Sequence, residues 1–216
     1  MLNKPDHAST HSCGKNLIII NVLVFIATSL APVTDLYSCG LGYDADIVSK
    51  YLSLFNIESA CFKPYQLFTY MFVHGGIMHI FFNMLALAFL GPIIETFWGS
   101  RRFLAFYMIT GIGAAIFNIV ISMVLPASSF GSMVGASGAV YGVLTAFGVL
   151  FPNMELMLLF PPIPIKAKYL VLILGGIAIY SGFMGSPGDN TAHFAHLGGI
   201  VIAFILIQFW RNRGTY

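Results

Sequence analysis

Long runs without a charged side chain limit this chain more than any other feature of its sequence. The stretch from Phe103 to Met154 contains no Asp, Glu, Lys or Arg. Backbone polar groups inside a lipid bilayer must be satisfied within their own segment, so such runs are expected to form helices. Of the 216 residues, 58% are hydrophobic and 8% are charged, against roughly 25% charged in an ordinary soluble domain. The sequence therefore predicts an all-α, polytopic membrane protein, and the absence of a basic cluster argues against nucleic-acid binding.

The apolar runs give the number of predicted spans. A transmembrane helix needs about 20 predominantly apolar residues. We predict six helices, at about 16–36, 77–97, 102–125, 137–151, 168–183 and 193–210. The predicted organisation is a tail at 1–15, a six-helix membrane domain at 16–211 with a long outer loop at about 37–76, and a tail at 212–216.

The basic residues predict the orientation of these helices. With the N-terminus inside, eight of the ten Lys and Arg residues fall on the cytoplasmic side, and only Lys50 and Lys63 fall outside. The positive-inside rule favours this arrangement, with both termini in the cytoplasm. The mean hydropathy of +0.86 agrees with an integral membrane protein. The small size suits a bacterial inner membrane, with an organelle membrane as the alternative.

Polar side chains on three predicted spans lie at a similar depth. From the inner end of each span, Ser137 and His196 lie about 22 Å up and His79 about 24 Å up, at a rise of 1.5 Å per residue. Asn83 is one turn deeper than His79 on the same face. In a hydrocarbon core about 30 Å thick, all of them lie somewhat below the outer boundary. The sequence therefore predicts one polar layer inside the membrane.

Small residues flank two of these side chains. Gly138 and Gly142 are four residues apart on the fourth span, and Ala195, Gly199 and Ala203 repeat at the same interval on the sixth. Such spacing lets helix backbones approach closely, although it is common in membrane helices generally.

The residue types in this layer suit acyl transfer. A serine is a poor nucleophile until a base takes its proton, and histidine is the usual base near neutral pH. No Asp or Glu falls in the outer half of any predicted span, so we expect a Ser137–His196 dyad rather than a triad. Tyr141, one turn after Ser137, either orients the imidazole or is an ordinary packed aromatic side chain.

Acyl transfer also needs hydrogen-bond donors that face the developing oxyanion. The backbone N–H of Ser137 lies at a helix start, where amides lack intrahelical partners. The side chains of His79 and Asn83 are further donors at nearly the same level. Gly135 and Gly138 would let the backbone and a substrate approach closely.

Two other kinds of site fit the sequence less well. His74, His79, His193 and His196 could suggest a metal site, but the chain has no His-Glu-x-x-His zinc motif and no thiolate or carboxylate beside them. We therefore expect no metal and no cofactor. A transporter would also carry polar groups inside the membrane, but it predicts internal repeats and acidic relay residues, and neither is present.

At this point the sequence resembles the rhomboid family of intramembrane serine proteases. Gly135-Ala-Ser-Gly138 is similar to the family's GxSG motif, and Ala195-His-Leu-Gly-Gly199 is similar to its AHxxG motif. His79-Ile-Phe-Phe-Asn83 matches HxxxN, His74 has a counterpart in many members, and Glu95–Arg102 resembles the turn after the second helix. The resemblance covers about residues 16 to 210.

The resemblance implies a role for each of these residues. Ser137 would be the nucleophile and His196 the base, with His79, Asn83 and the Ser137 amide as oxyanion hole and Tyr141 stacked on His196. A mobile cap would lie around residues 182–192. The substrates would be transmembrane proteins within the lipid bilayer. A non-catalytic rhomboid-like protein that binds membrane clients is the first alternative, and a transporter is the second.

The first outer loop departs from the family pattern. Many members carry Trp-Arg where this chain has Tyr65-Gln66, so the loop must be stabilised by contacts other than that cation. Cys39 and Cys61 both fall outside in the predicted topology, where an oxidising environment permits a disulfide. Two free thiols are the alternative, and the third cysteine, Cys13, falls inside.

Overall fold

The computed structural model describes residues 12–36, 39, 44–125, 131–158, 161–184 and 192–214. These residues form the helices α1 Ser12–Leu30, α2 Ile47–Leu52, α3 Gln66–Thr69, α4 Ile77–Trp98, α5 Ser100–Val124, α6 Ser137–Leu150, α7 Ala167–Met184 and α8 His193–Asn212. They also form three two-stranded antiparallel sheets, which pair β1 Val33–Asp35 with β2 Asp44–Asp46, β3 Leu54–Phe55 with β4 Ser132–Met133, and β5 Glu155–Met157 with β6 Pro164–Lys166.

The long helices confirm the predicted helical membrane bundle. Within the described ranges, α1, α4, α5, α7 and α8 are each long and apolar enough to cross a bilayer. Helix α6 has 14 residues, or about 21 Å of rise, which is shorter than a hydrocarbon core of about 30 Å. The count of six crossings therefore stays a prediction. Helix α6 is instead the central element, because ten of its 14 residues are buried and it packs against α4, α5, α7 and α8.

The first helix differs from its predicted bounds of 16–36. It ends at Leu30, and Pro32 follows, because the residue before a proline is driven out of the helical conformation. It begins as early as Ser12 because a buried carboxylate caps its first turn. Glu95 of α4, only 2% exposed, accepts hydrogen bonds from the backbone N–H groups of Cys13 at 3.1 Å and Gly14 at 3.0 Å.

Aromatic side chains hold α4, α5 and α8 together where α4 ends, α5 begins and α8 ends. The Trp98 ring lies 4.8 Å from Phe106 and 5.3 Å from Trp210, measured between ring centroids. The guanidinium of Arg102 lies over the Trp210 ring at 5.7 Å. Amphipathic rings and cations of this kind are typical of the headgroup level of a membrane.

The connection between α1 and α4 contains ordered elements rather than a plain loop. It includes the β1–β2 sheet, the short helices α2 and α3, and the strand β3, which pairs with β4 next to α6. A Cys39–Cys61 disulfide closes it, so the paired form of the two cysteines is the one the structure contains. Cys13 carries a free thiol.

Gln66 is a buried side chain in the connection between α1 and α4. Its side chain is 1% exposed. Its Nε2 donates to the carbonyl oxygens of Tyr51 at 3.2 Å and Cys61 at 3.1 Å, and its Oε1 accepts from the backbone N–H groups of Lys63 at 3.1 Å and Phe55 at 3.4 Å. A neutral amide that both donates and accepts thus joins four points of the loop backbone.

Candidate active site

The close contact between α6 and α8 depends on two glycines. A β-carbon added to Gly199 would lie 2.1 Å from the carbonyl oxygen of Gly138, so the two backbones touch. A β-carbon on Gly138 would lie 2.7 Å from that of Ala114 in α5. Gly142 also lies in a close helix contact, with α5, where a β-carbon would lie 2.8 Å from Thr110. The packing therefore brings the first turns of α6 and α8 side by side.

Ser137 and His196 meet in these first turns. The Nε2 atom of His196 lies 2.8 Å from the Oγ atom of Ser137, within hydrogen-bonding distance. The ring of Tyr141 lies parallel to the His196 ring, with a centroid separation of 4.4 Å and an interplanar angle of 5°. A serine hydroxyl that is hydrogen-bonded to an imidazole can lose its proton to that imidazole. The stacked tyrosine ring limits the orientations that the imidazole can adopt.

The backbone before Ser137 requires a glycine. Gly135 has φ +118°, a conformation that side-chain-bearing residues rarely adopt. A β-carbon there would lie 2.6 Å from Nε2 of His79 and 3.7 Å from Oγ of Ser137. His79 therefore lies on the same side of this segment as the serine hydroxyl. Ser137 is the first residue of α6, where backbone N–H groups have no partner within the helix.

The predicted donors on α4 differ in their contacts. Asn83 is buried, and its Nδ2 donates to the carbonyl oxygen of His79 at 3.0 Å, a bond within its own helix. A side-chain amide has a second hydrogen, so this bond leaves Asn83 one more donor. The rings of His74 and His79 lie 5.0 Å apart between centroids. In the segment before α4, burial and then the neighbouring His79 lower the pKa of His74 to about 4, so His74 is neutral at pH 7.

One positioning contact was not predicted from the sequence. The backbone N–H of Gly135 donates to the carbonyl oxygen of Tyr70 at 2.9 Å, and the hydroxyl of Tyr70 donates to the carbonyl oxygen of Gly111 in α5 at 2.7 Å. Tyr70 is 1% exposed, and it joins the segment before Ser137 to α5. Its partners are far away in the sequence, so no local pattern could have identified it.

The four histidines considered as a metal site are not grouped as one. His193 lies near His196, with ring centroids 6.2 Å apart. In the part of the chain that the structure describes, no three His, Cys, Asp or Glu side chains are placed to hold one ion.

The predicted cap falls mostly outside the described residues. Gly185, Pro187 and Gly188 belong to that part of the chain. Gly182, which was expected in the cap, instead lies in α7, because this helix continues to Met184. A β-carbon on Gly182 would lie 3.0 Å from the ring of Phe194, so the C-terminal end of α7 contacts the first turn of α8.

Comparisons with known proteins identify a family and several relatives. The family model described as Rhomboid domain matches residues 62–213. The chain is 35% identical over 141 residues to Rhomboid protease GluP of Bacillus subtilis, covering 65% of this chain and 25% of that protein. It is 31% identical over 134 residues to "Rhomboid protein 1, mitochondrial" of Saccharomyces cerevisiae, covering 62% and 38%.

A third relative bears on whether the chain is an enzyme. The chain is 29% identical over 153 residues to Inactive rhomboid-related protein 2 of Caenorhabditis elegans, covering 70% of this chain and 41% of that protein. This chain thus spans about a quarter to two fifths of the length of the three relatives. The similarity includes a protein named as a protease and one named as inactive.

Proposed function

The chain belongs to the rhomboid family, and we propose on that premise that it is an intramembrane serine endopeptidase. It would cleave transmembrane proteins within or near their membrane-spanning segments. The observation that carries this proposal is the 2.8 Å contact between Oγ of Ser137 and Nε2 of His196. Because the family includes a relative named as inactive, membership alone does not make the chain a protease. The contact matters because neither the serine nor the histidine performs acyl transfer alone.

The reaction follows from the two side chains. His196 takes the proton of Ser137 as Oγ attacks the carbonyl carbon of the scissile peptide bond. The protonated imidazole then gives the proton to the leaving nitrogen, and the peptide bond breaks to leave an acyl group on Ser137. In the second half, His196 takes a proton from water as the water oxygen attacks the acyl carbon. The bond between the acyl carbon and Oγ then breaks, and His196 returns the proton to Oγ of Ser137.

The tetrahedral intermediates need hydrogen bonds to their oxyanion. The backbone N–H of Ser137 and the side chains of His79 and Asn83 are the donors we propose. The position of His79 next to Gly135 supports its inclusion. Tyr141, parallel to the imidazole, takes the orienting role that a carboxylate has in a triad. No step requires a metal or a cofactor.

The location of the dyad limits the substrate class. In the proposed topology the 14-residue helix α6 rises about 21 Å from its inner end, which would put Ser137 at membrane depth rather than in bulk solvent. A substrate must therefore present an unwound peptide bond at that depth, which a transmembrane segment that is easily unwound can do. The bilayer and transmembrane proteins are accordingly the proposed partners.

We also propose that the outer loop faces an oxidising compartment. The Cys39–Cys61 disulfide in that loop supports this orientation, since such bonds persist outside the reducing cytosol. The distribution of basic residues supports the same topology, with both termini in the cytoplasm. A bacterial inner membrane is the proposed location.

A reconstituted cleavage assay tests the proposed function. The purified protein is placed in liposomes with a single-span substrate protein, with and without a metal chelator. We expect two substrate fragments cut in or near the span, in equal amounts under both conditions, and none with Ser137→Ala. Binding of the intact substrate without fragments would instead favour the non-catalytic client-binding alternative, and loss of cleavage in chelator would contradict the metal-free mechanism.

The stacked tyrosine gives a separate prediction. Tyr141→Phe keeps the ring on His196 and should retain most activity. Tyr141→Ala removes the ring, so kcat should fall by up to about tenfold, the range of an aromatic pair interaction. The measurement is kcat in liposomes for both variants, and equal values would show that the ring does not hold the imidazole.

A further inference from the structure

The disulfide of the outer loop is connected to Gln66. Cys61 bonds covalently to Cys39, and its carbonyl oxygen accepts the hydrogen bond from Nε2 of Gln66. Ser59 strengthens this corner, because its hydroxyl donates to the carbonyl oxygen of Cys39 at 2.8 Å and accepts from the backbone N–H of Cys61 at 3.2 Å. The disulfide therefore sets the position of the carbonyl that Gln66 binds.

Gln66 is in turn connected to strand β3. Its Oε1 accepts from the backbone N–H of Phe55 at 3.4 Å. The fully buried Phe55 side chain belongs to one apolar cluster with Cys39, and Cys61 packs against this cluster. Phe55 is thus linked to the disulfide through the cluster and to Gln66 through its backbone. Displacement of either contact would move β3.

Strand β3 pairs with β4, and β4 comes shortly before the candidate nucleophile in the sequence. Phe55 pairs with Ser132, and Leu54 pairs with Met133, in the short antiparallel sheet. Ser132 and Met133 lie four to five residues before Ser137 on the same continuous segment, which includes the positive-φ Gly135. A shift of β3 is therefore passed through the sheet to the backbone that presents Ser137.

We infer that Gln66 is a positioning residue for Ser137, and that the Cys39–Cys61 disulfide holds Gln66 in place, so the redox state of this bond sets the turnover rate. The inference rests on the proposed function, since turnover is what it changes. It also explains how the loop functions with a glutamine where many family members have an arginine. The neutral amide bonds to a backbone that the disulfide already constrains.

The chemistry of the change is a thiol–disulfide exchange. A dithiol reductant supplies two electrons and two protons, the S–S bond breaks, Cys39 and Cys61 become thiols, and the reductant becomes its own disulfide. The released segment between the cysteines, which are 22 residues apart, regains conformational freedom. The carbonyl of Cys61 then moves away from Gln66. Gln66 in turn no longer holds the backbone of Phe55 in place, so β3 and its partner β4 can shift.

The expected effect is on chemistry more than on binding. A 1 Å misplacement of a reacting group can cost roughly a hundredfold in rate, so a smaller shift of Ser137 should lower kcat by about tenfold, with KM little changed. The test uses full-length protein with Cys13→Ser, which removes the free thiol. Cleavage in liposomes is measured before and after dithiothreitol, and the same comparison is made for Cys39→Ser/Cys61→Ser.

Two outcomes are expected together. Dithiothreitol lowers kcat only in the protein that has both cysteines, and the double variant is equally slow with and without it. Gln66→Met, which fills the same space without hydrogen bonds, lowers kcat by a similar factor although its disulfide stays intact. The thermal midpoint shows whether reduction unfolds the protein. If it does, the Gln66→Met variant still tests whether Gln66 positions Ser137.

Other outcomes would overturn the inference without affecting the proposed function. If the oxidised protein cleaves its substrate, and Gln66→Met has wild-type kcat, Gln66 does not position Ser137. If the reduced, folded protein cleaves at the oxidised rate, the disulfide has no part in turnover. By contrast, absence of cleavage in the oxidised wild-type protein would count against the proposed function itself.

Discussion

Ser137→Ala and His196→Ala should each lower kcat for cleavage of a transmembrane substrate by up to roughly 10⁶-fold, leaving no detectable fragment in liposomes. In the proposed mechanism the two side chains act as one unit through their 2.8 Å contact, so loss of either would remove the activated nucleophile. The measurement is fragment formed per enzyme over time, quantified by mass spectrometry. The thermal midpoint of each variant should stay close to that of the wild-type protein.

A serine elsewhere in the bundle is the matched control. The hydroxyl of Ser122 in α5 donates to the carbonyl oxygen of Ile119 in its own helix, so Ser122→Ala removes a hydroxyl without touching the dyad. It should leave kcat unchanged. Cleavage by Ser137→Ala at more than a few per cent of the wild-type rate would exclude Ser137 as nucleophile.

Gly199→Ala should have the next largest effect. The added methyl group would lie 2.1 Å from the carbonyl oxygen of Gly138, and backbone atoms cannot rotate out of the way. Helices α6 and α8 would have to separate, and a displacement of roughly 1 Å between His196 and Ser137 is expected to lower kcat about a hundredfold. Overpacking should also destabilise the fold by about 1–3 kcal/mol, seen as a lower thermal midpoint.

Gly176→Ala is the control for this substitution. Gly176 lies in α7, and a β-carbon there meets nothing within 4 Å. The same chemical change should leave kcat unaltered, and alanine's helix propensity, about 1 kcal/mol better than glycine's, favours the helix. A Gly199→Ala protein with wild-type kcat would mean that the α6–α8 contact does not set the geometry of the dyad.

The sequence predicts the bundle well because each helix is a long apolar segment. The predicted second span of 77–97 and the observed α4 at Ile77–Trp98 agree because the segment is bounded by glycines at both ends. The predicted bounds of the first span were wrong at both ends. The start depends on a distant residue, and the end depends on a residue next to it in the sequence. Its early start depends on Glu95, some 80 residues away, and its end at Leu30 depends on Pro32.

The site was predicted in part, and its missing parts are contacts between distant segments. Ser137 and His196 stand in short motifs that place a polar side chain at a helix start, which sequence alone reveals. Tyr70 had no such signal, and Gln66 was noted only as a departure from the Trp-Arg of many family members. Their roles come from hydrogen bonds to Gly135 and to the loop backbone, and these exist only once the outer loop has folded against the bundle.

The central claim is that His196 activates the hydroxyl of Ser137. The most direct measurement is peptide mapping of the protein after treatment with a fluorophosphonate, which bonds covalently to an activated serine. We predict one adduct per chain, on Ser137, and none in the His196→Ala variant. An adduct on a different serine, or equal labelling of Ser137 without His196, would contradict the claim.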